Sequence, residues 1–103
     1  MQLDHFTAVA IDSSPAELPW YAFCPPEYDP IVNLPPDASK MIVISGGRDT
    51  VVDASDVEPL GRAVKARGGE YRREPIFGHP LMDGAQNTRK RFGIVADFFS
   101  TRD

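Results

Sequence analysis

Met41-Ile42-Val43-Ile44-Ser45, closed by Gly46-Gly47, is the stretch on which the fold turns. A short continuous apolar run with a glycine stop reads as a strand buried on both faces, as strands are in a parallel sheet covered by helices. Downstream, Ser55-Asp56-Val57-Glu58 fits a capping box, in which Ser55 accepts a first-turn amide and Glu58 reaches back. Pro59 is tolerable in that first turn. Val57, Leu60 and Val64 then form one apolar stripe, with Arg62, Lys65 and Arg67 on other faces, until Gly68-Gly69 ends the helix. Glu70 to Ile76 alternates weakly and reads as a strand nearer the sheet edge, because Pro75 cannot donate to a ladder. A last helix is expected from about Gln86 to Thr101, with Phe92, Val95, Ala96 and Phe99 inward and Ile94 and Phe98 widening that stripe.

Upstream the grammar differs. Pro15, Pro19, Pro25, Pro26, Pro30, Pro35 and Pro36 fall before residue 40, and proline fixes φ and lacks the amide donor. No long helix or central strand can cross that segment. A short strand is expected before it, at Phe6 to Ile11. Trp20, Tyr21, Phe23 and Tyr28 stand among the prolines, which suits an ordered arm packed on something. The chain therefore divides into a Pro-rich acidic arm, 1–39, and a unit at 40–103. The expected fold class is α/β: a βαβα unit of two or three parallel strands with two helices, preceded by an irregular arm.

The chain has 103 residues, of which 42% are apolar and 25% charged, an ordinary globular composition in one small domain. Cys24 is the only cysteine, so no disulfide framework exists. Net charge is −4, and all 11 Lys and Arg follow residue 39. The clusters Arg72-Arg73 and Arg89-Lys90-Arg91 are short and read as solvated faces, so no nucleic-acid partner is expected. No secretory signal or membrane-spanning run is visible, and a soluble, cytoplasmic domain is expected. His5, His79 and Cys24 show no ligand spacing, so neither a metal nor a cofactor is expected. Gly46-Gly47 lacks the sequence of a phosphate cradle.

In an open parallel sheet, chemistry gathers at the carboxyl ends of the strands. Two loops fall there: Ser45 to Asp53 after the buried strand, and Phe77-Gly78-His79-Pro80 after the next. Asp49 and His79 are the candidate catalytic residues, the carboxylate holding one ring nitrogen's proton and freeing the other nitrogen as a base. The structural alternatives are that Asp49 accepts backbone amides in a turn and that His79 is a satisfied loop residue. His5 reads as exposed or capping, and Cys24 as a small packed thiol.

From about Tyr28 to Phe99 the chain resembles the C-terminal portion of the α/β-hydrolase superfamily. Gly46, Asp49 and Val52 match the Gly-x-x-Asp-x-x-Val loop that carries the triad acid in that family, and Gly78-His79 match its histidine loop. Arg91 to Ser100 stands where a Phe-rich closing helix follows. Tyr28-Asp29-Pro30 is similar to the common hydrolase pattern, while Pro35-Pro36 and the second acid Asp53 are similar to hormone-sensitive-lipase-like esterases, and both branches stay open. The family's Gly-x-Ser-x-Gly nucleophile elbow is absent. The resemblance implies ester or acyl hydrolysis of a small-molecule ester by an incomplete triad, its nucleophile supplied from elsewhere. A homodimer or a complementing N-terminal hydrolase part is the expected partner, because so small a sheet leaves an edge to be covered. The alternative is a non-catalytic remnant serving as a small binding or oligomerisation module.

Overall fold

The computed structural model describes residues 8–13, 31–80 and 82–102. Its elements, in chain order, are β1 (Val9–Asp12), β2 (Met41–Gly46), α1 (Ala54–Ala66), β3 (Glu70–Glu74) and α2 (Gly84–Arg102). The strands make one parallel sheet in the order β1-β2-β3, with Val9 opposite Met41 and Ile42 opposite Glu70. The described part is thus the expected small α/β unit, with three parallel strands and two helices. Of the strand expected at Phe6 to Ile11, the first two residues lie outside the described ones, as do Trp20, Tyr21, Phe23, Cys24, Tyr28 and His5.

β2 is central, and every residue in it is buried. Successive side chains leave a strand on opposite faces, so one uncharged run can feed two cores. Met41 and Val43 pack with Ala38 and with Val57, Leu60 and Val64 of α1. Ile42 and Ile44 pack on the other side with Phe77 and with Phe98 of α2. The two helices therefore cover opposite faces. Each fully buried aliphatic side chain here stabilises the fold by about 1.5–3 kcal/mol. Ile31 and Leu34 pack against the α1-side core, and the Ala38 N–H donates to Arg67 O at 2.9 Å. The end of the Pro-rich arm thus belongs to the same hydrophobic layer as α1.

α1 begins earlier than the capping box implies. Asp53 is its N-cap, with Oδ1 accepting both the Ser55 N–H at 2.9 Å and the Ser55 hydroxyl at 2.8 Å. A carboxylate is the stronger acceptor, so Ser55 is held by the cap instead of forming it. Glu58 pairs forward with Arg62 on the helix surface. The Val57, Leu60, Val64 stripe is buried as expected. Gly61 lies on that stripe because the Tyr71 ring rests against it: a Cβ there would stand 2.4 Å from Tyr71 Cδ1. At the C-terminus Gly68 takes φ 92°, a left-handed conformation that glycine adopts without strain. β3 ends at Glu74, short of Ile76, where Pro75 turns the chain out of the ladder.

α2 corrects the sequence reading most. Ile94, Val95 and Phe98 face inward as expected, but the stripe is completed by Arg91 and not by Phe92, Ala96 or Phe99. Phe92 is 69% exposed, and Ala96 and Phe99 are also outside. Arg91, expected on a solvated face, is only 4% exposed. The spacing 91, 94, 95, 98 is a proper helical stripe; its first place is filled by a guanidinium instead of an apolar side chain.

Candidate functional site

Parallel pairing of β2 and β3 brings both carboxyl-end loops to one edge, and backbone bonds stitch them together. The Gly47 N–H donates to Glu74 O and the Arg48 N–H to Phe77 O, each at 2.9 Å. Only glycine permits this approach: a Cβ on Gly46 would lie 2.4 Å from Phe77 O, and one on Gly47 would lie 2.8 Å from Pro75 O. A tight turn, Asp49 N–H to Gly46 O at 3.2 Å, then presents the acid.

Asp49 Oδ2 lies 2.9 Å from His79 Nδ1. Oδ1 accepts the Val51 and Val52 N–H groups, each at 2.8 Å. Asp49 therefore does both things considered from sequence: it staples its own loop, and it meets the histidine. Its side chain is 0% exposed and that of His79 28%, so the acid is enclosed while part of the ring reaches the surface. Two amide donors on Oδ1 favour the carboxylate, and a carboxylate facing Nδ1 requires a proton on that nitrogen. In the neutral ring Nε2 is then the accepting nitrogen. Among the described residues nothing hydrogen-bonds to it.

Three residues missed by sequence reasoning support the histidine loop. The Gly78 N–H donates to Asp83 Oδ1 at 2.7 Å. Arg91 donates from Nη1 to Asp83, from Nη2 to Gly78 O, and from Nε to Asp12 Oδ2 at 2.8 Å. Its guanidinium also sits 4.5 Å from the centre of the Phe77 ring. The available signal was the helical spacing that puts residue 91 in line with 94, 95 and 98. Ser45 is buried and shares a hydrogen bond with Tyr71, and Ser13 donates to Asp12. Among the described residues no three His, Cys, Asp or Glu groups could hold a metal ion. Nor is any described helix long and apolar enough to cross a membrane.

Burial acts to raise the Asp49 pKa, but the Val52 N–H, the His79 ring and the Val51 N–H together outweigh it and set it below the ordinary value. At Asp83 burial is likewise outweighed, by Arg91, the Gly78 N–H and Asn87. Both groups thus bind protons less readily folded than unfolded. The stability they contribute is complete above the unfolded carboxylate pKa and is lost as pH falls through their depressed folded values. Thermal melts are expected to hold steady from neutral pH to about pH 5 and to fall below it. A melting temperature that rises on acidification below about pH 4 contradicts this assignment.

No protein-family model, no curated protein and no solved structure matches this chain.

Proposed function

We propose that the chain carries the acid–base pair of an ester or related acyl hydrolase, with Asp49 as orienter and His79 as base. The observation that supports this best is the 2.9 Å contact of His79 Nδ1 with an Asp49 carboxylate whose other oxygen is pinned by two amides. In such a pair, Nε2 takes the proton of an attacking hydroxyl as the new acyl–oxygen bond forms. It then returns that proton to the leaving alcohol, while the carboxylate stabilises the transient imidazolium. The nucleophile lies outside the pair, and a complementing N-terminal hydrolase part would bring it. The likeness of Gly46-Asp49-Val52 and Gly78-His79 to the α/β-hydrolase loops supports the same reading, on the same edge of a parallel sheet.

The test is hydrolysis of p-nitrophenyl esters by the chain, alone and mixed with a nucleophile-bearing N-terminal hydrolase part. His79→Ala is expected to lower the complemented rate by about 10³-fold or more. Equal rates for the native chain and His79→Ala remove the proposal.

A further inference from the structure

A histidine that works as a base must be held at its loop, and the residues around Gly78 show what holds this one. The Gly78 N–H belongs to the peptide entering the glycine, and its carbonyl to the peptide leaving toward His79. Asp83 Oδ1 accepts from the first at 2.7 Å, and Arg91 Nη2 donates to the second. Arg91 Nη1 also donates to the other oxygen of Asp83, which closes a ring of contacts around the glycine. Glycine is the residue with the widest backbone freedom, so a clamp on both its peptides removes the motion to which the loop is most prone. A larger residue would press on the clamp: a Cβ on Gly78 would stand 2.7 Å from Asp83 Oδ1, so the carboxylate would have to shift.

The clamp is itself anchored. Arg91 Nε donates to Asp12 Oδ2 at the end of β1, and its guanidinium lies over Phe77, two residues before the histidine. Phe77 is buried in the α2-side core, and its carbonyl receives the Arg48 N–H from the Asp49 loop. One buried side chain therefore touches the last residue of β1, the core under the site and the peptide next to His79. Arginine suits this place because its planar fork serves several acceptors at once, which an ammonium on a flexible stem cannot do in fixed geometry.

We infer that Arg91 is a positioning residue for His79, fixing the imidazole against Asp49 by clamping the Gly78 backbone. The inference rests on the acid–base reading of that pair.

The readout is the low-field NMR resonance of the His79 Nδ1 proton in the full chain, assigned by its loss in His79→Ala. Arg91→Lys keeps the charge but loses the fork, and the proton is expected to exchange with water about tenfold faster or more. Removing the fork leaves Asp12 and Asp83 poorly compensated and endangers the fold. A second variant, Asp12→Asn with Asp83→Asn and Arg91→Met, therefore removes the charges together and leaves residue 83 able to accept the Gly78 N–H. The same acceleration is expected. A folded variant of either kind that exchanges at the native rate overturns the inference. So does loss of fold in both, since Arg91 would then hold the core rather than the loop. The readout needs no turnover. Faster exchange with ester hydrolysis indifferent to His79 leaves the clamp standing and sinks the function, whereas absence of the resonance from the native chain removes the pair itself.

Discussion

Gly46→Ala is expected to drive His79 away from Asp49 and to destabilise the chain by about 1–3 kcal/mol. The added Cβ would stand 2.4 Å from Phe77 O, 2.9 Å from Phe77 C and 3.0 Å from Gly78 O. All three are backbone atoms, so no side chain can swing aside. β2 cannot retreat either, because both its faces are buried against helices. The 77–78 segment must therefore move, and it carries the histidine with it. Denaturant unfolding measures the first effect, and the His79 Nδ1 proton reports the second. Gly93→Ala serves as the control: its Cβ would meet nothing within 4 Å on an exposed turn of α2. That substitution is expected to leave the pair alone and to stabilise the helix by about 0.5–1 kcal/mol. Native stability and an unshifted resonance in Gly46→Ala would show that the two loops are not in the contact described.

Asp49→Asn carries the largest expected effect on chemistry. The carboxamide oxygen still accepts from Val51 and Val52, so the loop keeps its staple. The amide nitrogen, however, is a donor where the carboxylate was an acceptor, and it faces His79 Nδ1. That contact favours the ring with Nδ1 bare and the proton on Nε2, which removes the accepting nitrogen from the working position. Complemented ester hydrolysis is expected to fall by about 10⁴-fold, and stability to fall by what the native chain loses when Asp49 is protonated. Asp49→Ala separates the two roles of the residue. It leaves the Val51 and Val52 amides without their acceptor and is expected to cost about 1–3 kcal/mol in addition. Full turnover in Asp49→Asn, measured with p-nitrophenyl esters, would mean that the carboxylate serves the loop alone.

The pair was legible in the sequence because it depends on local signals. A buried apolar run, a double glycine, an amphipathic helix and a second strand followed by Gly78-His79 are enough to place both loops on one edge. The same holds for Gly68, whose φ of 92° answers the stop read from Gly68-Gly69. What escaped depends on partners distant along the chain. Arg91 reads as solvent-facing unless its counter-charges are known, and Asp12 lies 79 positions away. Helical spacing alone also fits the stripe Phe92, Val95, Ala96 and Phe99, of which the helix turns all but Val95 outward. The cap of α1 was missed for a nearer reason: Ser55 is itself a good cap residue, but Asp53 just upstream offers a charged acceptor and takes both of its hydrogens.

The bond from Arg91 to Asp12 also bears on the order in which the chain assembles. Among the described strands β1 is made before β2 and β3, yet its ladder partner begins at Met41 and its ionic anchor belongs to α2. Closing loops of that length is entropically slow, and contacts of high sequence separation form late. β1 is thus secured by a helix more than 70 residues downstream, and Arg91 of that helix clamps the histidine loop in the same act.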